Sequence, residues 1–210
     1  LPGELENATQ HRERNNENHK GTFLLQEARL DHDISAIVEV IKPNKSLVGF
    51  VGGPWTILNY AIGDKQISND FRHKYLKNVI VPLLKESIKK QIEAGADCVM
   101  IFDSGLSNIN KSYFDKEYSV LLKQLADVGN TAYYSRTLPY NSLNKVIDLN
   151  FAGIGVDSTV DLNKTLKKVD TGFVQGNFDE TLLLQDSETL EKEIQKWLET
   201  IEDPTGWVCG

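Results

Sequence analysis

Histidine is scarce and one-sided in this sequence: His11, His19, His32 and His73 are all it has, and none follows position 73. No Ser-His-Asp triad can therefore be assembled from later strand ends. No His/Cys/Asp grouping has the spacing of a metal site either. Hydrolytic and metal-dependent chemistry lose most of their weight on these grounds. Cysteine is nearly absent too. Cys98 and Cys209 each sit in an apolar run (CVMIF and WVC), so both are expected as buried reduced thiols, which suits a reducing cytoplasm. No run approaches the ~18 apolar residues of a membrane span, and the opening LPGELENATQHRERNNENHK holds no apolar signal segment. Cations are outnumbered, 23 Lys and Arg against 30 Asp and Glu, for a net charge of -7. They form no cluster, which argues against a nucleic-acid footprint. An anionic small substrate stays compatible, because one buried arginine outweighs distant surface charge at contact range.

Nucleotide cradles are missing as well. In GFVGGPWTILNY, residues 49 to 60, Pro54 and Trp55 occupy places where a Gly-x-Gly-x-x-Gly fingerprint needs glycine, and no Gly-Lys-Ser/Thr follows. Read alone, the stretch is a strand-to-helix turn with Pro54 at the first helical position and Trp55 filling core.

What is present is a rhythm. Residues 1 to 32 read as a polar tail or loop, and residues 33 to 210 as a single domain. Ile34, Ile37, Val38 and Ile41 keep helical spacing up to Pro43. Strand-like runs follow at 46–51, 98–102, 131–134, 153–156, 172–174 and 207–209, with helical patterns between most of them. One such pattern puts Phe71, Tyr75, Val79, Leu83, Leu84, Ile88 and Ile92 on one face, with a kink expected at Pro82. Another runs from Phe114 through Tyr118, Leu121 and Leu122 to Leu125. A third takes Ser187 as its N-cap and places Leu190, Ile194, Trp197 and Ile201 together. Gly95 reads as a left-handed helix terminator. Short strands, apolar on both faces, point to a parallel α/β sheet. A doubly wound sheet would gather its polar loops at one switch point. Here nearly every strand is followed by one (GGPWT, DSGLS, SRT, DST, QGNFD), which favours a (β/α)8 TIM-type barrel with a shared mouth. Six strands and an ending on Trp207–Gly210 predict a barrel that is incomplete at both ends.

The polar groups at those strand ends are Asp103, Ser104, Ser135, Arg136, Asp157, Ser158, Gln175, Asn177 and Asp179, with Tyr60 on the helix after Trp55. Each alone is more often a cap or a turn former than a catalyst. Their concentration at one end of the sheet is what singles them out.

The ordered set of GGPWTILNY, EAGADCVMIFDS, GIGVD and VQGNFD resembles the uroporphyrinogen decarboxylase family over roughly residues 33 to 210. The resemblance implies a homodimeric cytoplasmic barrel working without metal or organic cofactor. It implies removal of carbon dioxide from the four acetate side chains of uroporphyrinogen III, an anionic tetrapyrrole, to give coproporphyrinogen III for haem synthesis. Tyr60 and Ser104 match the family's active-site tyrosine and serine. Trp55, Phe102, Asp103, Arg136, Asp157, Gln175 and Asn177 are expected to contact substrate. The family's Arg-Gln-Ala-Gly-Arg motif is not visible in residues 1 to 45, Gly105 replaces a usual Trp or His, and Asp157-Ser158 replaces Asp-Trp. The rival readings are a paralogue that binds a tetrapyrrole without turnover, or one shifted in substrate, and a corrinoid-dependent methyltransferase relative.

Overall fold

The computed structural model describes Val38 and residues 45–210, apart from 64, 65, 137 and 139. The helix expected over 34–41 lies outside the described residues except at Val38, which is helical. Six strands form one sheet: β1 (Val48–Gly52), β2 (Cys98–Phe102), β3 (Thr131–Tyr134), β4 (Gly153–Gly155), β5 (Phe173–Gln175) and β6 (Trp207–Val208). Each pairs in parallel with the next, so spatial order follows chain order without reversal. A doubly wound sheet would reverse at a switch point; an unreversed parallel order is the arc of a barrel.

Between the strands run α1 (Pro54–Ile62), α2 (Asn69–Tyr75), α3 (Val81–Glu93), α4 (Ser119–Ala126), α5 (Tyr140–Ile147), α6 (Leu162–Leu166) and α7 (Ser187–Glu199). Pro54 opens α1 after an extended Gly53, and Trp55 is only 5% exposed, as the turn chemistry predicts. Gly95 takes a positive φ of 112° just past α3, the left-handed stop. The N-cap of α7 is Asp186 rather than Ser187; its carboxylate accepts from the backbone N–H groups of Glu188 and Thr189.

The helical face read around Pro82 is corrected. A π-helical stretch, Leu76–Ile80, joins α2 to α3. Pro82 has no N–H to return to Asn78 in the preceding turn, and the wider turn accommodates that break. The extra residue rotates the register. Leu76, Ile80, Val81, Leu84 and Ile88 are buried, whereas Phe71 is 52% and Leu83 37% exposed. A second π stretch, Phe114–Tyr118, precedes α4 and buries both of its end residues.

The sheet has two unlike faces. Val51, Val99, Ile101, Tyr133, Ile154 and Val174 alternate toward the helices and join Leu58, Ile88, Leu122 and their neighbours in the main core. On the other face Cys98, Met100 and Ala132 form a small second cluster flanked by Tyr134 and Phe173. Cys98 is buried as expected, but Cys209, just past the two-residue strand β6, is exposed; both are free thiols. No described helix is long and apolar enough to cross a membrane.

Candidate functional site

The open face of the sheet is built in rows. Parallel register aligns Phe50, Met100, Ala132, Gly153 and Phe173 in one row. Nearer the strand C-termini it aligns Gly52, Phe102, Tyr134, Gly155, Gln175 and Val208. Phe50 meets Phe102 edge-on at 6.3 Å between ring centroids, and Phe102 meets Tyr134 at 5.8 Å. Phe50 is 67% and Phe102 40% exposed. Glycine makes the rest of the floor possible. A Cβ on Gly153 would fall 2.2 Å from the Phe173 ring, and one on Gly155 would fall 2.8 Å from that of Tyr134. The two glycines of GIG thus let aromatic rings lie across β4. The result is an aromatic row along the inward face of the barrel arc, ending at the polar strand tips.

Burial pushes the Tyr134 phenol above its usual range, with the Asp157 carboxylate acting in the same direction and the Arg136 guanidinium opposing it. Arg136 stands two residues past the end of β3 and Asp157 two past the end of β4, the strand paired beside it. Arg136 is exposed and pairs with Glu180 after β5. Asp157 holds its own turn, accepting from the Thr159 N–H at 2.9 Å.

Asp103 follows Phe102, so alternation sends it to the opposite face. It is completely buried. Its Oδ1 accepts from the Thr56 N–H at 2.9 Å and the Thr56 hydroxyl at 3.0 Å, and its Oδ2 from the hydroxyls of Tyr133, at 2.9 Å, and Tyr118. Tyr118 in turn accepts from the Trp55 N–H at 2.9 Å. The carboxylate thus closes the first turn of α1, where N–H groups have no helical partner. Gly53 has to be glycine here, because its Cβ would stand 2.2 Å from that of Asp103. Burial raises the Asp103 carboxyl above its usual range and the four donors pull it down. Both Tyr118 and Tyr133 are pushed well above the usual phenol value, by burial first and by Asp103 next.

This hub ties together the two segments that carry Tyr60 and Ser104. The Thr56 hydroxyl accepts from the Gly105 N–H at 2.9 Å, and the Asn59 carboxamide donates to the Gly105 carbonyl at 3.2 Å. Ser104 is exposed on the loop so held. Tyr60 lies one turn beyond Thr56 on α1 and is 86% exposed. The structure thus places both beside one another's segments at the C-terminal end of the sheet, with Phe102 and Gln175 in the row below.

The other expected contacts lie elsewhere. Asp103 is beneath the surface, not on it. Trp55 packs away from the open face, against Tyr113 at 5.9 Å and Tyr118 at 5.8 Å. Asn177 is a tie between loops: it donates to the Val160 carbonyl at 2.6 Å and accepts from the Trp197 indole N–H at 3.3 Å. Phe50, Tyr134 and Phe173 escaped sequence reasoning, because they lie on other strands than Phe102 and only the register between strands brings them to its side of the sheet. No group of three His, Cys, Asp or Glu side chains gathers as a metal site among the described residues.

Comparison with known proteins agrees with this architecture. The chain is 30% identical over 193 residues to the uroporphyrinogen decarboxylase of Orientia tsutsugamushi (strain Ikeda), with 81% of this chain and 55% of that protein covered. It is 33% identical over 185 residues to that of Sulfurimonas denitrificans, covering 78% and 53%. It is 29% identical over 196 residues to that of Aquifex aeolicus, covering 82% and 57%. The chain spans about half the length of these curated relatives. Among solved structures, a methyltransferase from Methanosarcina mazei superposes with a TM-score of 0.69 at 20% identity, covering 86% of this chain and 57% of that one. At that identity the likeness is one of fold, and it places the sheet within a TIM-type barrel. The family model for uroporphyrinogen decarboxylase matches residues 26–210, and the chain belongs to the uroporphyrinogen decarboxylase family.

Proposed function

We propose that the protein of which this chain forms part removes acetate carboxylates from uroporphyrinogen III, giving coproporphyrinogen III without metal or organic cofactor. The observation that carries this reading is the aromatic pair Phe102–Tyr134 at the C-terminal strand ends, beside the Ser104 loop that hydrogen bonds tie to the helix of Tyr60. A flat macrocycle presents π-faces and edges to such a surface, and its carboxylates reach the polar strand tips.

The chemistry needs little more than positioning and protons. A proton added to the ring α-carbon next to the one bearing the acetate makes a cation delocalised onto the acetate-bearing carbon, which draws the electrons of the breaking C–C bond as carbon dioxide leaves. The exocyclic methylene carbon so formed takes a proton, giving a methyl group, and loss of the first proton from the ring α-carbon restores the pyrrole. Ser104 suits a hydrogen bond that holds the departing carboxylate. Tyr60 suits a donor over the ring edge. Asp103 acts from beneath, fixing the first turn of α1 and the Ser104 loop. Gln175 and Arg136 lie along the same rim. The same reading carries with it a homodimer in the cytoplasm.

The test is an anaerobic assay of the protein, expressed from its complete open reading frame, on uroporphyrinogen III, counting carboxylates by chromatography of the oxidised products. Stepwise loss of four is expected. Tyr60→Phe is expected to slow it about a hundredfold, the scale of one lost proton donor, with the fold unchanged because this side chain is exposed. Absence of any carboxylate loss would overturn the reading.

A further inference from the structure

We propose that a second cleft, on the side of α1 turned away from the open face, binds a small organic carboxylate with a flat apolar body. Trp55, Asn59 and Ile62 follow the helical spacing of one face of α1; Tyr60 lies roughly a third of a turn from them. That face looks across a cavity of about 800 Å³ toward Asn69 and Arg72 of α2 and toward Asn110 and Tyr113 after β2. The volume is that of an ordinary small-molecule site.

Its chemistry is one-signed. The Arg72 guanidinium lies 5.8 Å from the centre of the Trp55 ring and is half-buried. No described carboxylate pairs with it, and no described acid lines the cavity. In a chain carrying 30 acids against 23 cations, a half-buried guanidinium that faces no acid among the described residues is out of keeping with its surroundings. The nearby acids are taken: Asp70 pairs with Lys74 at 2.9 Å, and Glu117 lies 3.2 Å from His73. The Asn110 side-chain oxygen already accepts from the Tyr113 N–H at 3.2 Å, which leaves its NH2 group to donate. One more donor adjoins the cleft. Trp55, 5% exposed, has a buried indole N–H with no acceptor among the described residues. A guanidinium and carboxamide NH2 groups match a carboxylate, and the Tyr113 and Ile62 side chains offer an apolar wall to the rest of the ligand.

This site is independent of the reading of the open face, and so is its test. Benzoate and uncharged benzamide are the probes, titrated into the protein with ligand-observed NMR and the Trp55 indole signal as readouts. Benzoate is expected to bind with a Kd of about 1 mM or tighter and to shift the Trp55 signal, and benzamide about tenfold more weakly. Arg72→Gln is expected to weaken benzoate at least about tenfold, and Ile62→Trp, which fills the cleft but keeps the guanidinium, to do the same. Phe102→Ser, on the open face, should leave binding unchanged. The proposal falls if benzoate fails to bind at about 10 mM, if Arg72→Gln and Ile62→Trp both leave its affinity unchanged, or if only Phe102→Ser weakens it.

Discussion

Four donors converge on the Asp103 carboxylate, and water reaches neither of its oxygens. Removing a buried acceptor strands its donors, and the stranding costs more than the bonds were worth. Asp103→Ala leaves the hydroxyls of Tyr118 and Tyr133 and the Thr56 N–H without a partner. It is expected to lower stability by about 3 kcal/mol in urea unfolding. A loss below about 1 kcal/mol would mean that water replaces the carboxylate, and the hub would not be what holds α1 to the Ser104 loop. At this scale the sequence was partly legible. The motif FDS marked a strand end, and Asp103 read as a substrate contact there, whereas the structure buries it. Strand alternation carries the distinction: Phe102 faces the open side, so the next residue faces the helices. The four donors come from positions 56, 118 and 133, and no local pattern announces that they meet.

Among the elements, β1 shows the same alternation in exposure. Gly49 and Val51 are buried, whereas Val48 is 52% and Phe50 67% exposed. Gly49 yields its space to Gln91, whose amide donates to the Phe50 carbonyl at 3.1 Å. An aromatic ring left so exposed adds little to the folded state, in contrast to the roughly 3–5 kcal/mol lost when a buried one is truncated. For the 210-residue chain taken by itself, Phe50→Ser is therefore expected to cost less than about 1 kcal/mol in stability. If the row it heads receives a macrocycle, the same change weakens coproporphyrin binding by about tenfold, read by fluorescence titration. A large loss of stability would instead mark Phe50 as core. Strand positions were readable because each is a short apolar run bounded by turn residues. The buried face of α2 and α3 was misread because a strict 3.6-residue period assumes an unbroken helix, and the π turn before Pro82 shifts the phase by a residue.

For the molecule as a whole, parallel order without reversal was foreseeable from polar loops recurring after successive strands. The separation of that end into an aromatic surface on one side of α1 and a cationic cleft on the other was not, since both draw on the same few residues of α1. A buried tyrosine layer links the two. Tyr113 lines the cleft, with its phenol pushed up to about 12 by burial and then by Glu117. Tyr118 and Tyr133 beneath it are pushed well above the usual value, by burial and by Asp103. In the unfolded chain these phenols ionise near the ordinary value of about 10. The folded state therefore holds more protons than the unfolded state once pH passes about 10, and stability falls as pH rises where the unfolded state holds fewer. Below that point the three contribute no pH dependence, because both states are protonated. For Tyr113 the fall runs from about 10 to its folded value of about 12. For the other two it continues until the fold gives way. In a spectrophotometric titration, phenolate absorbance from the buried layer is expected as a late step that coincides with loss of the far-ultraviolet circular dichroism. Tyr133→Phe should shift that step to higher pH and shrink its amplitude. If all tyrosines titrate together near pH 10 with the helices intact, the buried layer under α1 is open to water, and the Asp103 hub cannot be dry.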